Sequence, residues 1–281
     1  MFHRPDSPIL ELSFGTPHRV LDVGMTKPLL FQMELAGLPH GTWVVKVAKQ
    51  RPSTVLIELA SSELCARFGI YTPEVAIARL SPDVPDYDDT DVGRAALQMH
   101  KQHRGEFAFC SRHLEGSVTA TPGTLRYPRA GQDEQLLGLF LFDALVWHSD
   151  RTRSNPNALW LHRDLVAIDH GRAMHNLEAT DEAGLGPDFS QHHGQEAWPR
   201  HIAFLPLAKR LKKGQLAPEL FANFAGRVQD LTDDVLAEIS ARWPAELDTA
   251  GLRWEIIRFL KARRNSYNQV EAEAQHALKN G

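Results

Sequence analysis

The stretch that most constrains this chain is QLLGLFLFDALVWHS, residues 135–149, which is apolar on nearly every face and interrupted only by Asp143. A helix that is apolar all round has to be buried in a core. The pattern predicts one over residues 133–147. At this length it cannot cross a bilayer, which takes about 20 apolar residues. It runs directly into a polar loop, His148-Ser149-Asp150-Arg151-Thr152-Arg153-Ser154-Asn155. A buried helix that delivers a polar loop is a rigid mount for reactive groups. Asp143 needs hydrogen-bond donors inside such a helix, because burying a bare charge is costly. Backbone amides of the following loop are the expected donors, a solvent-exposed aspartate on the helix being the alternative.

Two short strands follow, NALWL (157–161) and LVAID (165–169), joined through His162-Arg163-Asp164. An antiparallel hairpin sets its outer ends side by side, so Asn155 is expected near Asp169, with Asp150 just upstream. An isolated Asp-x4-Asn is what any polar loop could contain. Joined to a hairpin and an Asp-x-Gly, it becomes an arrangement suited to phosphoryl transfer. That reaction needs in-line positioning and neutralised phosphate charge. Magnesium takes hard oxygen ligands, usually one or two carboxylates plus the substrate phosphates. Asp169 and the side-chain oxygen of Asn155 match that chemistry, and Asp150 would orient an attacking hydroxyl and accept its proton. Gly171 is expected to let the backbone turn sharply after Asp169.

The N-terminal half reads as strands around one helix. VLDVGMTKPLLFQMEL (20–35) carries strand-forming residues around a turn from Gly24 to Pro28, and GTWVVKVAK (41–49) and EVAIARLS (74–81) are strands. So is the short segment 106–114. Between them, Val55, Leu56, Leu59, Leu64, Cys65 and Phe68 recur at helical spacing, with Ser53 as candidate N-cap and Gly69 as C-cap. SPDVPDYDDTD (81–91) reads as a solvated acidic loop, a cation site being the lesser alternative. From about residue 115 the chain is mostly helical. LAPELFANFAGRV, LTDDVLAEISARW and LRWEIIRFLKARRNSYNQVEAEAQHAL are amphipathic. A phosphotransferase of this kind needs a strand lysine that reaches the phosphates, held by a helix carboxylate. Lys46 shares its strand face with Val44 and Ala48, and Glu58 and Glu63 are both candidate partners. The Gly24-Met25-Thr26-Lys27-Pro28 loop stands where a phosphate-covering turn would, with Gly24, Thr26 and Lys27 as candidate contacts.

Composition narrows the class. Apolar residues make up 43% and charged residues 23%, the values of a folded globular chain. Lysine and arginine total 31 against 35 acids, a net charge of -4, which excludes a nucleic-acid binder working by bulk charge. Cys65 and Cys110, with no CxxC, exclude a disulfide framework and a cysteine zinc site. They read as buried thiols in a reducing cytosol. The N-terminus lacks the apolar run of a signal peptide, so a cytoplasmic location is expected. Fourteen histidines raise a metal-dependent hydrolase as an alternative, built on Asp169, His170, His148, His192 and His193. The helical His-x3-His spacing of a metal face is missing.

At these residues the chain resembles the HipA-like kinase family, over roughly 20–175. The resemblance rests on GMTKP (24–28), VVK (44–46) with ELASSELCARFGIYTP (58–73), FCSRHLEG (109–116), and FDALVWHSDRTRSNPNALW with IDHG. It implies a two-lobed, protein-kinase-like α+β fold. The small, mostly antiparallel N-terminal lobe with one helix would span 1–115, and the larger helical lobe with the catalytic hairpin 116–281. It implies ATP and magnesium and transfer of the γ-phosphoryl group to a hydroxyl on a protein or small molecule, with an antitoxin-like regulator as a partner class. No membrane or direct nucleic-acid partner is expected. By the resemblance Lys46 contacts the phosphates, Glu58 rather than Glu63 holds it, Asp150 is the base, and Asn155 and Asp169 hold magnesium. Asn157 competes with Asn155, which has the kinase-loop spacing from Asp150. His148 stands where the family usually has Asn, and Thr152 where it usually has His. A kinase-like module without catalysis is the further alternative.

Overall fold

The structure is a computed structural model that describes residues 2–5, 7–21, 28–47, 53–125, 132–174, 177 and 195–281. The loop holding Gly24, Thr26 and Lys27 lies outside the described residues, as do Ala48, His192 and His193.

Five strands, β1 (Leu10–Val20), β2 (Leu29–Leu35), β3 (Leu38–Val47), β4 (Val75–Arg79) and β5 (Phe107–Arg112), close into a barrel in the order β1-β2-β3-β5-β4. All neighbours are antiparallel except β1 and β4. Strand β1 lies ahead of the first strand read from the sequence. Its pairing with β2 is irregular between Phe14 and Pro17 and again between Pro17 and Arg19, which scrambles the alternation a strand normally displays. Successive strand residues point to opposite faces. On β3, Trp43 and Val45 therefore enter the barrel interior with Phe31, Met33 and Cys110, and Lys46 points out of it.

The N-terminal part holds two helices where the sequence suggested one. Helix α1 (Ser53–Arg67) starts at Ser53 itself and ends through Gly69, whose φ of 69° is the left-handed C-cap conformation. Helix α2 (Asp91–Gln102) was hidden behind the acid-rich segment, which is its lead-in. The Gly93 N–H donates to the Thr90 hydroxyl at 3.0 Å, a standard N-cap, and Asp89 and Asp91 hold Arg94. Buried Ala96 and Met99 of α2 join the barrel core. Among the described residues no three His, Cys, Asp or Glu side chains cluster as metal ligands.

Beyond the barrel, β6 (Val118–Thr119), β7 (Ala158–Leu161) and β8 (Asp164–Ala167) form a second, antiparallel sheet. A short helix α3 (Pro122–Leu125) and the buried α4 (Gln132–Leu145) precede the β7–β8 hairpin. The expected hairpin is present, with Ala158 opposite Ala167. Helices α5 (Phe204–Lys212), α6 (Glu219–Gln229), α7 (Asp233–Ala241), α8 (Leu252–Asn265) and α9 (Tyr267–Asn280) complete the chain, the last predicted stretch breaking in two at Ser266. One large apolar core runs from α1, Val75, Ile77 and Phe109 through α4 into α5–α9, and the barrel interior is a separate cluster. Helix α1 thus packs on the outer faces of β4 and β5 and on the helical half together. Cys65 and Cys110 are buried and free. Among the described residues no helix is long and apolar enough to cross a membrane.

Candidate active site

Helix α4 ends inside the protein, and its last carbonyls need donors. Arg263 of α8 supplies them, donating to Ala144 O at 2.6 Å and Leu145 O at 3.0 Å. Burial lowers the Arg263 pKa to about 10. Trp147 then takes φ 54°, and the chain leaves the helix as the polar loop.

The loop folds on itself around Asp150. Asn155 Nδ2 donates to Asp150 Oδ2 at 3.0 Å, and Asn157 Nδ2 donates to the same oxygen at 3.3 Å. Thr152 closes the turn between them: its N–H donates to Asn155 O at 2.8 Å, and its hydroxyl accepts the Asn155 N–H at 3.1 Å. Asn155 uses its amide nitrogen in this way and keeps its side-chain oxygen. Asn157, the competing ligand, is buried with φ 43° and continues into the hairpin, where its carbonyl takes the Ile168 N–H at 3.0 Å. Asn157 and Ile168 thus meet at the open end of the hairpin, and Asn155 and Asp169 stand on the two segments just beyond them.

Lys46 meets Asp169 there. Its ammonium lies 3.0 Å from Glu58 Oε1 and 2.8 Å from Asp169 Oδ1. The other Glu58 oxygen accepts the His170 N–H at 2.8 Å. A β3 cation, an α1 carboxylate and the residues after β8 thus form one cluster. Burial alone would drive the proton off Lys46. The two carboxylates outweigh it and raise its pKa above the ordinary lysine value. Burial pushes Glu58 up, against the pull of Lys46. Asp169 goes the other way: burial opposes ionisation, but the Lys46 ammonium holds its pKa down at about 2. Glu63 does not reach Lys46, so the partner is Glu58. Its carboxylate instead accepts the Trp243 indole N–H at 3.0 Å.

Asp169 itself occupies the left-handed region, φ 58°, which aspartate tolerates better than most residues. The sharp turn expected at Gly171 is therefore made at Asp169. Glycine is needed at 171 for another reason. A Cβ there would fall 2.9 Å from Thr54 Cγ2 and 3.2 Å from Glu58 Oε1, so the missing side chain lets α1 approach the hairpin.

Asp143 is buried, but its donors are side chains, not the backbone amides expected. Arg151 Nε lies 2.6 Å and His201 Nε2 2.8 Å from Asp143 Oδ2. The Ala203 N–H donates to His201 Nδ1, which fixes the imidazole proton on Nε2. Burial would raise the Asp143 pKa, yet the Arg151 guanidinium holds it well below the usual carboxylate range. Arg151 also donates to the carbonyls of Asn157 and Ile168 and lies 3.4 Å from His170 Nδ1. A guanidinium is suited to this, because its N–H groups leave in fixed directions. His148 donates from Nε2 to Asp169 O at 3.1 Å, and burial lowers its pKa to about 4. Arg151, His201 and Arg263 were not picked out from the sequence. The usable signal was Asp143: a carboxylate in an apolar helix implies a buried cation nearby, and Arg151 is the first candidate downstream.

Asp169 and Asn155 both carry hard oxygens, and the Asp169 side chain is 43% exposed despite its ion pair. That donor set suits magnesium and not a soft metal. The histidines of this region are committed otherwise: His148 to a carbonyl, His201 to Asp143, and buried His170 against Cys65 Sγ at 3.7 Å.

Comparison with known proteins returns no significant match among curated sequences. Among solved structures the chain is similar to a Helicobacter pylori proinflammatory kinase, CtkA, with 10% identity and a TM-score of 0.43 over 98% of this chain and 99% of that one. The family model for HipA-like kinases matches residues 18–245. That span covers β2 to β5 of the barrel, α1, the Asp150 loop and the hairpin, and the chain belongs to the HipA-like kinase family.

Proposed function

We propose that this HipA-like kinase transfers the γ-phosphoryl group of ATP, with magnesium, to a hydroxyl, a serine or threonine of a protein being the favoured acceptor. The observation that carries the reading is Lys46 lying between Glu58 and Asp169, 3.0 and 2.8 Å away. A strand lysine held by a helix carboxylate beside a hairpin aspartate is how kinases set a cation against phosphate oxygens. The barrel with α2 would form the nucleotide lobe and the rest the helical lobe, with α1 packed against both and the reacting groups facing each other between them.

Each residue has a chemical task in this reading. Lys46 stays protonated and presents its charge to the nucleotide phosphates. Asp169 and the side-chain oxygen of Asn155 would hold the magnesium, which would supply charge neutralisation for the transferring group. Asp150 orients the acceptor hydroxyl and takes its proton. Asn155 and Asn157 keep one Asp150 oxygen occupied, which fixes the carboxylate plane and leaves the other oxygen for the acceptor. The Gly24–Pro28 loop would cover the phosphates through Gly24, Thr26 and Lys27.

Calorimetry with ATP, with and without magnesium, followed by incubation of cell lysate with γ-labelled ATP, tests the reading. Wild type should bind ATP only with magnesium and label a protein band. Asp150→Asn should bind ATP equally well and label nothing. Magnesium-independent binding, or equal labelling by the variant, would count against it. Binding with no turnover to protein or metabolite would mark a non-catalytic module.

A further inference from the structure

Helix α1 carries two buried glutamates, Glu58 and Glu63, and only the first belongs to the site. They stand five residues apart, about 7.5 Å along the axis and about 140° around it, so they face different neighbours. A carboxylate taken out of water is unfavourable by several kcal/mol unless it is paired. Glu63 is paired from two directions. Its Oε2 accepts the Trp243 indole N–H at 3.0 Å, and its Oε1 lies 3.3 Å from Arg242 Nη2 and 3.9 Å from His3 Nε2. Arg242 in turn donates to Pro5 O at 2.7 Å, and the His3 N–H donates to Thr72 O at 3.0 Å. The N-terminal segment and the chain after α7 therefore close together over the back of α1.

The other polar attachments of α1 run the same way. Glu58 takes the His170 N–H, and at the far end Arg227 Nη1 donates to Phe68 O at 2.6 Å. Helix α1 is thus bonded to the helical half at Glu58, Glu63 and Phe68, while its contact with β4 and β5 is apolar packing. Toward the barrel its charged bond is Lys46 to Glu58. A helix held like this cannot swing outward without leaving the Glu63 carboxylate buried and unpaired.

We infer that Glu63, with Trp243 and Arg242, is a positioning residue that fixes α1 so that Glu58 stands ready for Lys46. On this inference the ion pair is governed by movement of the barrel against the helical half, and α1 does not move independently. It rests on the kinase reading above, and it assigns Glu63, the rejected partner of Lys46, a task at that site.

The test is a double-mutant cycle on ATP turnover, with thermal denaturation alongside. Glu63→Ala should lower kcat/KM for ATP about tenfold to hundredfold, the loss of a charged buried hydrogen bond. Trp243→Phe, which removes the indole N–H together with part of the ring, should lower it in the same direction by less. In a Glu58→Gln background neither change should cost anything further, because residues acting through one another are not additive. A purely structural Glu63 would lower Tm and leave kcat/KM for ATP unmoved, or its effect would multiply with that of Glu58→Gln; either result overturns the inference. If Glu63→Ala does not fold, the cycle with Trp243→Phe decides by the same criteria. A wild type that neither binds nor turns over Mg-ATP overturns the kinase reading and the inference with it. An active wild type insensitive to both changes overturns the inference alone.

Discussion

Two ionic clusters lie on either side of the Asp150 loop, and they are built on opposite principles. In the outer one, Lys46 is a single cation between two carboxylates, Glu58 and Asp169, and the Asp169 side chain remains 43% exposed. In the inner one, Asp143 is a single carboxylate against Arg151, with side-chain exposures of 2% and 0%. The outer cluster carries more negative charge than it can neutralise, and it carries it where solvent reaches. It can gain a divalent cation or exchange one partner for another. The inner cluster is balanced and sealed, and Arg151 directs its remaining donors to fixed carbonyls of Asn157 and Ile168. The difference teaches how a reactive site stays ordered: groups that must change partners are held by a neighbouring set that must not.

The sharpest way to break this contrast is Arg151→Ala. It leaves Asp143 buried without its main counter-charge and frees two carbonyls at the mouth of the hairpin. Removing one partner of a buried pair typically destabilises by about 3–5 kcal/mol. Chemical denaturation should show a loss of that order, and a loss below about 1 kcal/mol would mean the inner cluster is not structural. Acid should act on it too. Asp143 has a depressed folded pKa, so its contribution is complete above the ordinary carboxylate value and is lost as pH falls through the folded value. Wild type should therefore lose stability on the acid side, and Arg151→Ala should lose the steepest part of that dependence.

The outer cluster should respond in function more than in stability. Lys46→Met removes the cation between Glu58 and Asp169, and KM for ATP should rise about tenfold to hundredfold, the range for a lost charged hydrogen bond. Thermal stability should change much less than in Arg151→Ala, because water already screens Asp169. The diagnostic measurement is the titration of Asp169 by NMR. With Lys46 present its pKa is about 2. Without it, burial, which opposes ionisation, should carry the value up towards its ordinary 3.8. In wild type, ionised Asp169 contributes stability that is complete above pH about 4 and lost as pH falls towards 2. In Lys46→Met that loss on acidification should disappear. An Asp169 pKa still near 2 in the variant would show that Lys46 is not what holds it down.

The same contrast explains what could be read from the sequence. The outer cluster was legible because its members recur in local patterns: a lysine in an apolar strand, a glutamate in the next helix, Asp-x4-Asn before a hairpin. The inner cluster was half legible. Asp143 announced a buried charge, but His201 comes from a segment 58 residues away whose docking no local pattern encodes. Helix α2 was obscured because its cap, Thr90, is embedded in an acidic run that reads as loop. Strand β1 was obscured by register shifts around Pro17. Barrel closure depends on β1 pairing in parallel with β4, a contact between segments more than sixty residues apart that periodicity cannot specify.

The mildest change falls on the loop that both clusters hold. Thr152 closes the turn between Asp150 and Asn155 twice, by its backbone N–H on Asn155 O at 2.8 Å and by its hydroxyl accepting the Asn155 N–H at 3.1 Å. Thr152→Ala keeps the first and removes the second, together with the hydroxyl's contact to Ser154 Oγ at 3.2 Å. A local side-chain bond of this kind is worth about 1 kcal/mol, which for a chain of this size lowers Tm by about 2–4 °C. The backbone bond and Arg151 still hold the loop, so it should stay closed on average while Asn155 gains freedom about its own amide. Asn155 orients Asp150 through Nδ2 at 3.0 Å, and phosphotransfer should therefore fall a few-fold with ATP affinity nearly unchanged. Thr152→Ser keeps the accepting oxygen and should restore both the rate and the melting temperature. If the serine variant behaves like alanine, the threonine methyl rather than its hydroxyl is what the loop uses. The orientation of Asp150 would then rest on the Asn155 and Asn157 amides with no help from the Thr152 hydroxyl.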